Sequence, residues 1–444
     1  MLRFLALAAL LALASCSPLD SEQLRVCRLV LPALHPAQTA FRETHVAAAS
    51  GREVRIDYEA SEPETRTFIR RHWASCTFGG TALTRARLVL AGVDTDRGPL
   101  SEARLLYLNR FWLETPGAAD VQGESAPPAV PEVPQAVAYA AQQIVNALAL
   151  SAIYALLATA YALIYGLIGR LNLAFGEIAV IGAYGAIGGV TAAVALGFED
   201  PIGALALAFI IAAALAALWS WMIGTIVVAP LHARFRAGQP ILVATIAVAI
   251  AIQEFLRLSQ GANDRWLPPL FTAPIALLRA DNFVATVTPI QIAVALIALA
   301  AAGGVLLLLA KSRFGREWRA FADDPDIVGL FGIARERLIA ATFVLAGLMA
   351  GLAGWIVAVY YGNVGFSMGT MLGLKALVAA VVGGIGSVPG AFFGGVLVGL
   401  IEAAWSAYFD LDFRDIVVFS IMIVMFVLRP GGLLGYAGPS PRQV

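Results

Sequence analysis

Charge is what this sequence has least of for its length. Only 14% of its 444 residues are Asp, Glu, Lys or Arg, while 59% are hydrophobic, and the mean hydropathy is +0.79. An ordinary soluble domain carries about 25% charge. Here the apolar residues fall into several runs longer than the roughly 18 that mark a spanning helix. The chain therefore reads as a polytopic helical membrane protein. The net charge of zero says little, because in a bilayer the distribution of charge matters more than its sum.

Other absences narrow the function. There is no GxxxxGK[ST] loop, so ATP is not bound in that way. HExxH and CxxC are missing, His232 stands alone in its loop, and neither a metal nor another cofactor is expected. No basic, aromatic-interleaved stretch suggests nucleic acid. The remaining classes are a channel, a secondary transporter, or the membrane half of a pump driven by another protein.

Cysteine is confined to positions 16, 27 and 76. The opening MLRFLALAALLALASC has a basic Arg3 and an apolar core from Phe4 to Ala14 too short to span, the pattern of a targeting segment over residues 1–16. Leu13-Ala14-Ser15-Cys16 resembles a lipoprotein cleavage box, making Cys16 a lipidation candidate, with ordinary cleavage or an uncleaved anchor as alternatives. Each of these exports the residues C-terminal to it. Residues 17–115 are richer in charge. The alternation of Val54, Ile56 and Tyr58 predicts a half-buried strand, and Leu88–Val93 and Leu105–Leu113 are further apolar runs. We expect a small soluble periplasmic domain, β-rich or α+β. Its two cysteines, Cys27 and Cys76, are expected to form a disulfide, as paired cysteines in exported domains usually do. His35, His45 and His72 have no metal-ligand spacing and read as surface or packing residues. A receptor-like or lipid-modifying role for this domain would need a catalytic constellation that the sequence does not display. Residues 116–135, rich in Pro, Gly and small residues, read as a linker.

The membrane part is expected over residues 136–435, with spans near 143–168, 174–196, 202–229, 241–258, 289–310, 338–360, 371–387, 390–408 and 413–429. With residues 17–115 outside, Arg170, the Arg234/Arg236 loop and Lys311–Arg337 fall inside, as the positive-inside rule asks. Residues 436–444 are then a cytoplasmic tail. The count is eight or nine. It turns on Met371–Phe409, where two apolar pieces flank Gly383-Gly384-Ile385-Gly386-Ser387-Val388-Pro389-Gly390. A break at depth would line a translocation path, making Gly383, Gly384, Gly386 and Ser387 candidates; at the surface it is a turn. Gly347/Gly351 and Gly395/Gly399 have helix-packing spacing. Among the few intramembrane polar groups, Glu402 is a path candidate. Asn172 and Glu177 read as structural residues near a helix end, hydrogen-bonded or in contact with interfacial water, and Lys375 as snorkelling to the interface.

Lys311–Arg337 is the chain's most distinctive loop. Asp324 suits an N-cap, Pro325 the first helical position, and Gly332 a left-handed stop. This predicts a helix of about two turns with Ile327, Leu330 and Phe331 on one face, too short to be stable without a partner surface. An ordinary loop with one amphipathic turn is the plain alternative.

Several blocks taken together carry a resemblance. They are Gln142–Tyr184, Ile241–Phe271, FADDPDIVGLFGI, Leu374–Ala403 and the RPGGLLG ending, in that order. The chain from Gln142 to Gly435 resembles permease subunits of ABC importers for branched-chain amino acids, a family that also includes urea and amide importers. One departure is Phe175, where the family usually has His. The resemblance implies a second, similar permease as partner, cytoplasmic ATPases, a periplasmic solute-binding protein, and a place in the bacterial inner membrane. It implies a transport subunit rather than an enzyme. Asp324, Pro325, Ile327, Leu330, Phe331 and Gly332 become ATPase-coupling residues. A secondary transporter or channel working without an ATPase is the alternative.

Overall fold

A computed structural model of the chain describes residues 20–434 apart from 36–38, 51, 62–69, 81–86, 110–112, 114–129, 199, 235–238, 269, 272–273, 281–282, 326–327, 385 and 430. Cys16, Ile327, most of the linker and the tail from 435 therefore lie outside the described residues. The chain divides into two compact units, 1–130 with two short stretches (197–203 and 270–273), and the remainder.

In the first unit, helix α1 (Ser21–Val30) starts at Asp20, whose carboxylate accepts from the Glu22 backbone N–H at 2.9 Å. An antiparallel sheet comes next, with strands β1 (Ala40–Ser50), β2 (Glu53–Ser61), β3 (Arg70–Phe78), β4 (Leu90–Thr95) and β5 (Gly98–Pro99) in chain order. A short helix α2 (Glu102–Tyr107) completes the unit. The expected alternation is present in β2. Val54, Ile56 and Tyr58 all point into the core, beside Cys27 and Val30 of α1 and Cys76 of β3. The unit is α+β, within the expected range.

Cys27 and Cys76 are bonded, 49 residues apart in sequence, tying α1 to β3. In the chain-entropy description a loop of this length stabilises by about 4 kcal/mol. The Cys27→Ala/Cys76→Ala variant is expected to lose about that much in this unit, measured by urea unfolding followed at Trp73; an unchanged midpoint would contradict it.

The second unit is helical. Its elements are α3 (Gln135–Ile168), α4 (Phe175–Ala195), α5 (Pro201–Arg234), α6 (Gln239–Gln260), a hairpin of β6 (Ile275–Ala280) and β7 (Phe283–Val287), α7 (Pro289–Lys311), α8 (Arg313–Asp323), α9 (Arg335–Tyr361), α10 (Met368–Gly384), α11 (Val388–Tyr408) and α12 (Arg414–Leu428). Every apolar run read as a span is a helix. Among the described residues, seven helices are long and apolar enough to cross a membrane. The helix α10, with 17 residues, spans only about 25 Å. The segment before α3 is anchored: Val133 donates to the Arg279 carbonyl at 2.9 Å and Arg279 to the Pro131 carbonyl at 3.0 Å.

Helix α3 is the core of the unit, with 89% of its apolar window buried, against 22% for α6 and 28% for α7. Small residues let its neighbours close in. Gly395 and Gly399 of α11 sit directly on the backbone of Ala155 and Ser151. Gly347 and Gly351 of α9 sit on Ala216 and Ala212 of α5, and Gly354 on Ala179 of α4. Without hydrophobic drive between helices in lipid, such contacts come from close backbone approach. Gly354→Ala would place a methyl on the Ala179 carbonyl and should cost about 1–3 kcal/mol. Retention of the wild-type melting temperature in detergent would rule this out.

Candidate functional site

The Lys311–Arg337 stretch opens with a helix that the sequence reading left unassigned. Ser312 is its N-cap; its hydroxyl accepts from the Gly315 backbone N–H at 3.0 Å and opens α8. Asp324 ends α8 with an extended backbone, and its carbonyl accepts from the Val328 N–H at 3.4 Å; residues 326–327, where a helix begun at Asp324 would run, lie outside the described residues. Trp318 and Phe321 are buried, the Trp318 indole lies against Gly166, and its Nε1 donates to the Leu163 carbonyl at 3.3 Å. Arg319 reaches the Leu309 carbonyl at 2.5 Å. Beyond α8 comes a single 3₁₀ turn, Val328–Phe331, ended by Gly332 with φ +76°, the expected left-handed stop. Val328 is buried under this turn, whereas Leu330 and Phe331 are 86% and 78% exposed. Two large apolar side chains thus stand out beside the buried Val328. Beside them is a cavity of about 810 Å³ lined by Arg170, His232, Phe321, Pro325 and Arg335.

A second feature is a charge network where α10, α11 and α12 meet. Lys375 Nζ lies 2.8 Å from Glu402 Oε1 and 2.6 Å from Asp415 Oδ1. Arg414 Nε is 3.3 Å from Glu402 Oε1, and the Tyr154 hydroxyl donates to Glu402 Oε2 at 2.8 Å. Lys375 therefore does not snorkel: it is only 5% exposed, because two carboxylates hold it inside. Asp415, in the first turn of α12, is the partner that no sequence pattern reveals.

A third feature lies at the start of α4. Asn172, Ala174, Phe175 and Glu177 are all buried, and the two polar side chains are held by hydrogen bonds inside the protein. Asn172 still has its turn role, with Oδ1 accepting from the Ala174 backbone N–H at 3.0 Å. Glu177 accepts from the Thr370 hydroxyl at 3.0 Å and packs on Gly369. Glu177 Oε2, Asn172 Nδ2 and the Tyr161 hydroxyl have no hydrogen-bond partner among the described residues. Phe175 fills the apolar space between Tyr161 and Phe343.

Residues 143–426 match the family model described as branched-chain amino acid transport system / permease component. The chain belongs to that permease family. It is 35% identical over 297 residues to the high-affinity branched-chain amino acid transport system permease protein LivH of Escherichia coli K12, covering 67% of this chain and 96% of the relative. It is 33% identical to the corresponding protein BraD of Pseudomonas aeruginosa, covering 66% and 95%. A shorter stretch, 101 residues at 32% identity, resembles the fructose import permease protein FrcC of Rhizobium meliloti, covering 21% and 28%. No solved structure matches significantly.

The family motifs then find physical reasons. The glycine-rich break is the tight turn of the α10–α11 hairpin. Gly384 and Gly386 take positive φ, the Ser387 hydroxyl caps α11 by accepting from Gly390 N–H at 3.2 Å, and Gly383 packs on the Gly390 backbone. The RPGGLLG ending closes over the same hairpin, with the Leu433 and Leu434 amides donating to the Val382 and Gly383 carbonyls, both at 2.9 Å. Gly365-Phe366-Ser367-Met368-Gly369 has the G-x-S-x-G spacing of a nucleophile elbow. It leads from a two-residue strand into α10, and this permease unit's one histidine, His232, lies against Phe321.

Proposed function

We propose that this chain is the membrane-spanning subunit of an ATP-driven ABC importer for branched-chain amino acids or a related small polar solute. It would work in a bacterial inner membrane with residues 17–115 on the periplasmic side. Its partners would be a second homologous permease, cytoplasmic ATPases and a periplasmic solute-binding protein. The observation that carries this reading is the exposed Leu330–Phe331 pair beside the buried Val328 at the basic loop. Asp324, Pro325, Ile327 and Gly332 frame the same docking segment. In this reading α8 transmits ATPase movement to α3 through Trp318, and the α10–α11 hairpin borders the path. Gly383, Gly384, Gly386 and Ser387 shape its inner turn. Glu402 lies along it, and the unpartnered atoms of Asn172, Tyr161 and Glu177 offer the solute polar contacts at depth.

Purification of the tagged chain in mild detergent tests the proposal. Co-purification of a second permease and an ATPase, with solute-dependent uptake in liposomes driven by ATP, is the expected result. Uptake by the chain alone under an ion gradient would establish a secondary transporter instead.

A further inference from the structure

The first unit contains a cavity of about 620 Å³, within the roughly 300–1,000 Å³ of small-molecule sites. Its chemistry is asymmetric. Arg97 and Arg104 line it from the β5–α2 side, and neither guanidinium forms an ion pair or side-chain hydrogen bond with a described residue. Asp96 is the one carboxylate among the described lining residues, and His72 Nδ1 already holds its Oδ2 at 2.7 Å. Leu34, Leu100 and Leu108 supply an apolar wall. The floor is Tyr58, whose hydroxyl lies 2.8 Å from His35 Nε2. Burial, with the Asp96 carboxylate adding to it, pushes the Tyr58 phenol up to about 12, so it remains a neutral donor. His35 and His72 sit 5.2 Å apart, ring centre to ring centre, although 37 positions separate them in sequence. Their spacing in the sequence marks both only as surface or packing residues; the fold sets His35 in the lining and His72 behind Asp96.

We propose that this cavity binds a small solute carrying a carboxylate on an apolar body, with Arg97 and Arg104 taking the carboxylate and the leucines taking the body. Two guanidiniums without internal partners are a ready site for a carboxylate, which a guanidinium engages through two parallel N–H···O bonds. An α-amino acid would turn its ammonium toward Asp96 Oδ1. A simple carboxylic acid would leave that oxygen to water. The site thus makes the first unit a solute-receiving module. It requires neither an ATPase nor a second permease.

The test uses the full chain in nanodiscs without partners, titrated calorimetrically with leucine, 4-methylpentanoate and 3-methylbutylamine. Saturable binding of either carboxylate, absent for the amine, is expected. Arg97→Ala/Arg104→Ala should weaken it at least tenfold. Leucine alone binding would assign an amino acid; both binding would assign a general carboxylate. Binding of neither carboxylate would overturn the proposal, as would binding unchanged in the double variant, which would place the ligand elsewhere in the chain. Both side chains are exposed, so replacement should not unfold the unit, and resistance of Cys27 and Cys76 to thiol reagents checks this. The outcome is separate from the importer reading, which depends on ATP-driven uptake.

Discussion

Lys375→Met is expected to destabilise the permease unit by about 3–5 kcal/mol, the cost of removing one partner from a buried ion pair. Lys375 and Glu402 side chains are 6% and 2% exposed, so water cannot replace the lost partner. Glu402 would keep Tyr154 and Arg414, while Asp415 would lose its shortest contact. The double variant Lys375→Met/Glu402→Met should be less destabilised than the sum of the singles, because it removes both charges and leaves the Arg414–Asp415 pair. Thermal unfolding of all three variants in the same detergent gives the coupling energy. A stable Lys375→Met protein, or strictly additive effects, would show that the network does not hold α10, α11 and α12 together.

Leu330→Asp should leave the fold intact and abolish ATP-driven uptake. Leu330 touches little of its own chain, so stability should change by no more than about 0.5 kcal/mol. At a protein interface, losing one apolar anchor costs about 2 kcal/mol or more, and burying a new carboxylate adds to that. The ATPase should therefore fail to co-purify. Val328→Asp makes the contrasting control: Val328 is buried, so that change should lower stability as well as uptake. Normal uptake by a correctly inserted Leu330→Asp protein would overturn the proposed docking role.

Much of this was legible in one dimension. Spans are written in long apolar runs, since a helix in lipid must satisfy its own backbone and needs a fixed length to cross. The strand at Val54–Tyr58 was legible because a period of two places alternate residues on the core face. Gly332 was legible as a stop because its left-handed backbone strains other residues. Helix α8, just before Asp324, was not legible as an element, because it rests on the burial of Trp318 and Phe321 against distant residues, which no local signal encodes.

What the sequence by itself determined was the helical membrane class, the order of the apolar helices, and a separate charged unit with paired cysteines. Those come from composition and from periodicities only a few residues long. Tertiary structure alone decided the polar sites. Lys375 meets Asp415, Glu177 meets Thr370, and His35 meets His72 across separations no local pattern encodes. In a medium that penalises every unpaired charge, only the packing of whole helices and strands fixes which distant groups neutralise one another.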